Sequence, residues 1–230
     1  MNKKNIKSIP LIITLILSTV VFNVINAWCY SYIKKSINIK HITIHLIGVP
    51  KTKSLAIDKN GNVWIGNKFT GTVQEINGKT HKIIATVYLQ KGSKPRAIAI
   101  SRNGNIWVAD KGTGTVQEIN GKTHKIIATV KLPYNAKPKS IVIDDTGNIW
   151  VGAKGVGRII EINNITKKIM HQFNVSQFDK PKVIAIDEYG NIWVPNIPGA
   201  SLVEIFSLAK GPEYFPYCYS ISTPKYPQWP

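Results

Sequence analysis

A chain of 230 residues, 43 % hydrophobic and 18 % charged, has the size of one ordinary domain or two small ones. It is too apolar for a disordered chain and too mixed for a multi-span membrane protein, and its two cysteines, Cys29 and Cys218, exclude a disulfide-dense scaffold and a four-cysteine zinc site. Lys and Arg number 30 against 12 Asp and Glu, a net charge of +18, so the partners to expect are anionic: acidic polymers, lipid headgroups, nucleic acid or small anions.

The chain opens on Met1-Asn2-Lys3-Lys4-Asn5-Ile6-Lys7 and continues as an apolar run from Ile9 to Phe22, with the small residue Ala27 at its exit. A basic start, a short apolar stretch and a small-residue exit read as a signal peptide over residues 1–27. The run is shorter than the roughly 20 residues of a spanning helix; an uncleaved anchor is the alternative. The expected location is secreted, periplasmic or cell-surface, with membrane contact only through residues 9–27 if they are retained.

Beyond this segment the sequence repeats. Trp64, Trp107, Trp150 and Trp193 stand 43 residues apart, each closing a Gly-Asn-Val/Ile-Trp phrase, and the 17 residues Gly71–Val87 and Gly114–Val130 are identical. Within the first repeat, Leu55-Ala56-Ile57 and Val63-Trp64-Ile65 are short apolar runs around the turn signal Asn60-Gly61. Thr72–Ile76 alternates with period two, Asn77-Gly78 marks another turn, and Ile83–Val87 is a β-branched run. Four short strands joined by tight turns predict one antiparallel blade, and a period of 40–50 residues without helical patterning predicts an all-β propeller over residues 28–206.

The fourth strand type recurs as Ile126–Leu132 and Ile169–Val175 but is missing after the last repeat. A spare strand, Lys40–Leu46, lies upstream and aligns with Ile83–Leu89 when shifted by one repeat. The expectation is therefore four four-stranded blades of 43 residues, with the N-terminal strand closing the last blade and removing two open sheet edges. The alternative is an open arc that pairs with a second chain; a monomer is favoured and a dimer is the other case. The tail, residues 207–230, holds five prolines and six aromatics, which speaks against a regular strand series. Cys29 precedes the closing strand and Cys218 follows the last blade, so in an oxidising compartment they form a candidate disulfide, with two free thiols as the alternative.

A residue present in every blade points first to blade packing. That reading covers the four tryptophans, and also Glu75, Glu118, Glu161 and Glu204 in the third strands. Asp58, Asp144 and Asp187, with Ser101 in their place in repeat two, stand where a strand enters its turn and are expected to bind backbone amides. His81 and His124 read as exposed turn residues, with Lys167 in their place in repeat three. His41 and His45 share one face of the closing strand but lack a third ligand nearby. No nucleophile motif, phosphate loop or paired-carboxylate signature is present.

Lys53, Arg96, Lys139 and Lys182 occupy one equivalent position just before the innermost strand, behind Pro95, Pro138 and Pro181 in three cases. In a closed propeller they ring one mouth of the channel, and Lys68, Lys111 and Lys154 from the turns between second and third strands join them. Converging positive charge focuses the field and attracts anions; a solvated lysine-rich surface is the alternative.

The phrase Arg96-Ala97-Ile98-Ala99-Ile100-Ser101-Arg102-Asn103-Gly104-Asn105-Ile106-Trp107-Val108-Ala109-Asp110, followed by Thr115–Asn120 and Ile126–Val130, resembles the NHL and YVTN repeat families over residues 40–206. The resemblance implies a propeller and leaves activity open, since such propellers serve as binding platforms, surface proteins and enzymes. Val156-Gly157-Arg158-Ile159 is similar to an element of the streptogramin lyases, a resemblance that implies a larger, seven-bladed ring with His, Glu and magnesium. Where those blades carry Trp-Phe-Thr-Glu, this chain has Trp64-Ile65-Gly66-Asn67, Trp107-Val108-Ala109-Asp110, Trp150-Val151-Gly152-Ala153 and Trp193-Val194-Pro195-Asn196. The leading expectation is an exported, non-catalytic scaffold that takes an anionic envelope component, small anion or protein partner at its basic mouth, without a cofactor. Nucleic acid is set aside for want of a recognition helix or aromatic platform. The alternative is a lyase- or lactonase-like enzyme with a divalent metal.

Overall fold

The computed structural model describes residues 43, 52–175, 180–196, 201–205 and 218–222, and every regular element among them is a strand. The first sheet is β1 (Thr52–Ile57), β2 (Val63–Asn67), β3 (Thr72–Ile76) and β4 (Ile83–Tyr88). The second is β5 (Pro95–Ile100), β6 (Ile106–Asp110), β7 (Thr115–Ile119) and β8 (Ile126–Lys131). The third is β9 (Pro138–Ile143), β10 (Ile149–Ala153), β11 (Arg158–Ile162) and β12 (Ile169–Asn174). The fourth is β13 (Ala185–Ile186), β14 (Ile192–Asn196), β15 (Ser201–Ile205) and β16 (Cys218–Ser222). Each sheet is an antiparallel meander with its strands in chain order, and all lie in the unit Ile44–Pro230.

The turns follow from their side chains. Asp58 Oδ1 accepts the amides of Asn60 and Asn62 at 2.8 and 2.9 Å, and Gly61 takes the positive φ of 80° that the hairpin needs. Between third and fourth strands, Asn77 Oδ1 accepts the amides of Lys79 and Thr80, and the chain passes through His81 at φ 59°. Asn120 and Asn163 repeat this turn, with His124 at 57° and Lys167 at 58°.

The core is divided into layers between successive sheets. Trp64, Val73, Val87 and Leu89 of the first sheet meet Ile98, Ile106, Val108 and Ile119 of the second. One repeat on, Trp107, Val116, Val130 and Leu132 meet Ile141, Ile149, Val151 and Ile162. The third layer sets Trp150, Ile159 and Val175 against Ile184, Ile192, Val194 and Ile205. The innermost strands run in series, β1 against β5, β5 against β9 and β9 against β13. This bears out the packing role expected of Trp64, Trp107 and Trp150; Trp193 is half-buried and stands outside these layers.

The fourth sheet corrects one expectation. Its last strand is not the N-terminal segment but β16 from the tail, paired to β15 from Ser201↔Ser222 to Ile205↔Cys218. The tail accommodates a strand because its five prolines fall on either side of Cys218–Ser222, where every residue keeps its amide and Tyr219 and Ile221 alternate with small side chains. Residues 1–27, His41, His45 and Cys29 lie outside the described residues, and with them the signal peptide, the histidine pair and the disulfide.

Close approach between first and second strands also has a repeat logic. Ser54 stands opposite Gly66, Ser140 opposite Gly152, and in repeat two Ala97 opposite Ala109. A Cβ on Gly66 would lie 2.5 Å from Ser54 Oγ, a hydroxyl that is buried without a hydrogen bond. Gly66→Ala should therefore cost about 1–3 kcal/mol by overpacking. The double variant Gly66→Ala/Ser54→Ala should recover most of that loss, because it recreates the alanine pair of repeat two. A denaturant-melt double-mutant cycle checks this, and additive losses would contradict it.

Candidate functional site

Three of the four basic residues of the predicted mouth are placed by a repeated irregularity. Thr52 pairs with Asn67 and Ser54 with Gly66, so Lys53 is an extra residue in β1. Arg96 is skipped in the same way between Pro95↔Asp110 and Ala97↔Ala109, and Lys139 between Pro138↔Ala153 and Ser140↔Gly152. Each cation thus sits on a β-bulge, which leaves one residue unpaired and re-aims its side chain. Lys182 lies just ahead of β13 in an irregular stretch.

Electrostatics bring most of these residues into one cluster. Burial, then repulsion from Arg96, Lys154, Lys111 and Lys182, holds the Lys139 ammonium below its ordinary value. Burial, then Arg96, Lys137, Lys154 and Lys94, does the same at Lys111. Arg96, Lys139 and Lys182 therefore share one field with Lys111 and Lys154, whereas Lys53 is not among the charges that act on either depressed lysine. Arg96 Nε is buried without a hydrogen-bond partner. The turns carrying these side chains are tied together: Lys111 N–H donates to Lys94 O at 3.2 Å and Gly155 N–H to Ala136 O at 2.7 Å. Beneath them the buried Asp110 carboxylate accepts the Lys94 and Gly112 amides at 2.7 and 2.8 Å.

A second constellation lies at the other end of the same strands. The indoles of Trp64, Trp150 and Trp193 donate to Oδ2 of Asp58, Asp144 and Asp187 at 3.2, 2.8 and 2.9 Å. Asn62, Asn105 and Asn148 donate to Oε1 of Glu75, Glu118 and Glu161 at 2.8, 2.8 and 3.0 Å. The other glutamate oxygen takes a basic group. His124 reaches back from the second sheet to Glu75 at 2.6 Å and stacks on Trp64 with ring centroids 5.7 Å apart. Lys167 reaches back from the third sheet to Glu118 at 2.7 Å, with its ammonium 4.6 Å from the centroid of Trp107. At Glu161 the partner is His171 of the same sheet, at 2.7 Å, and Phe173 stacks on Trp150.

His124 is thus a half-buried member of an inter-sheet joint rather than the exposed turn residue expected of it; His81 is exposed. The signal was present: Glu75 to His124 and Glu118 to Lys167 are both 49 residues apart, one repeat plus a turn offset.

The lyase resemblance implies a magnesium ion held by His and Glu. Among the described residues the donors do not fit it. The mouth converges cations, which repel a divalent metal, while Glu75, His124, Glu161 and His171 are committed to one another at the opposite end of the strands. A metal-dependent elimination therefore does not follow from the described residues.

No family model and no curated protein matches the chain in sequence. Solved structures do match in fold. The virginiamycin B lyase of Staphylococcus aureus aligns at a TM-score of 0.66 and 19 % identity, over 76 % of this chain and 56 % of its own. A streptogramin B lyase aligns at 0.69 and 16 %, over 79 % of this chain and 58 % of that one. A 6-phosphogluconolactonase-like protein of Bacteroides uniformis aligns at 0.62 and 11 %, over 75 % and 55 %. The chain is an all-β protein with the sheet architecture of the lyase and lactonase-type propellers, and it spans little more than half the length of those relatives.

One consequence concerns acid stability. Burial pushes the Asp187 carboxyl up, but hydrogen bonds from the Trp193 indole, the Asn191 amide and side chain and the Tyr189 amide outweigh it and hold the group below its ordinary 3.8. A carboxyl depressed in the folded state stabilises it above the unfolded value, and that contribution is lost as pH falls through the folded one. Asp187→Asn should cost about 1–2 kcal/mol at neutral pH. It should also flatten the fall in melting temperature below pH 3.8. An unchanged acid slope in the variant would refute the assignment.

Proposed function

We propose that the chain is an exported, non-catalytic propeller module that binds an anionic envelope polymer at the mouth formed by Arg96, Lys139 and Lys182 with Lys111 and Lys154. The observation that carries this reading is the gathering of Arg96, Lys111, Lys139, Lys154 and Lys182, whose mutual repulsion adds to burial in holding the Lys111 and Lys139 ammonium groups below their ordinary value. Bulges at Arg96 and Lys139 support it, because they turn two of the cations out of the sheet register. A polyanion bridging these positions relieves the repulsion. The basic net charge of +18 draws such a ligand in.

Long-chain polyphosphate and polyglutamate serve as probes. Binding to the wild-type protein should weaken steadily with added salt, as surface charges are screened. The triple reversal Arg96→Glu/Lys139→Glu/Lys182→Glu should weaken it at least tenfold at low salt, a loss of about 1.4 kcal/mol or more. Thermal unfolding of the variant controls for folding. Equal affinity of a folded triple variant for both probes would overturn the reading.

A further inference from the structure

We propose that two copies of this chain join head to tail, the first sheet of each docking on the free face of the other's fourth sheet, to close one ring. The argument is independent of the basic mouth. It rests on a joint that the structure repeats and then leaves unfinished at both ends.

Each finished joint has two sides. At the first two joints the leading sheet offers a tryptophan and a glutamate and the following sheet offers an apolar first strand and a turn cation; at the third, His171 of the leading sheet itself meets the glutamate. The first sheet carries the following side with part of it uncovered. Leu55 is 61 % exposed, whereas Ile98, Ile141 and Ile184 at the same place are 8, 7 and 6 % exposed. Ile57, on the same face, is 63 % exposed. Ile65 and Ile76 further along are buried within the chain, so the unmet strip is Leu55, Ile57 and His81.

His81 says what that strip fits. It lies in the same 17-residue sequence as His124 and has the same backbone conformation, φ 59° against 57°. His124 stacks on a tryptophan and binds a glutamate, but the exposed His81 side chain has no partner among the described residues. The fourth sheet presents the matching pair. Trp193 and Glu204 are half-buried, where their counterparts in the other three sheets are buried. Asn191, which by its place in the repeat should bind Glu204, donates to Asp187 at 3.1 Å instead. The Glu204 carboxylate therefore has no partner among the described residues.

The chain does not join these two sides itself, since Leu55 remains exposed and His81 does not pair with Glu204. This chain matches only 56–58 % of the length of the lyase chains that share the fold. Two copies related by a twofold axis form two identical head-to-tail joints and leave no free end. The charges agree, a basic turn residue facing a carboxylate, as at Glu75 and Glu118.

Sedimentation equilibrium of the full chain tests this. The wild-type protein should run as two chains. His81→Glu and Glu204→Lys, each alone, should weaken dimerisation at least tenfold, because the first sets two carboxylates against each other in both joints and the second removes the carboxylate from both. Mixing the two variants should restore the two-chain particle, since one joint is then wild type and the other pairs Glu with Lys; this recovery also shows that both variants fold. A one-chain wild-type particle would sink the proposal. So would a dimer indifferent to both substitutions, or open-ended growth beyond two chains.

Discussion

A buried carboxylate at each inter-sheet joint is the constraint on which the fold depends. A four-stranded meander has an apolar surface on both faces and cannot bury either alone. Glu75, Glu118 and Glu161 lie within that apolar layer at 6, 3 and 6 % exposure, where an unpaired charge is costly. At the first two joints the compensating cation comes from the next sheet, so each sheet completes the one before it. The result behaves as a one-dimensional array, with stability carried by nearest-neighbour interfaces.

The internal repeat made most of this architecture legible. Strands expected at Val63–Ile65, Thr72–Ile76 and Ile83–Val87 appear as β2, β3 and β4 within two residues at each end. The period failed where the chain leaves it. After Phe206 the register is lost, and the strand that completes the fourth sheet returns only at Cys218. A segment with two apolar residues, set between prolines, has too little alternation to announce itself. Lys40–Leu46 aligned better with the repeat, but alignment reports resemblance to a strand type and not which edge is free.

The site shows the same division. The column Lys53, Arg96, Lys139 and Lys182 was readable because position within a repeat is readable. The bulges were not, since a bulge is a mismatch between two strands and no single strand carries it. The role of His124 was hidden because it acts across the repeat boundary, on the sheet before its own.

The two ends of the strands carry different demands, and the repeats have diverged accordingly. The identical segments Gly71–Val87 and Gly114–Val130 contain parts of both sides of the joint: Val73, Glu75 and Val87 face forward, while His81 and its counterpart His124 face back. A segment that carries both halves of an interface fits its own copy, which is why repetition alone builds the layers. Where the joint departs from this pattern, the changes fall together. Trp107 lacks the aspartate acceptor, because Ser101 stands there, and the same indole is covered by the Lys167 ammonium instead of an imidazole. The mouth, in contrast, varies between Lys and Arg from one repeat to the next. Arginine and lysine are not interchangeable where a planar fork must be matched, but they are equivalent as sources of field. The joint therefore constrains shape and pairing residue by residue, whereas the mouth constrains little more than sign.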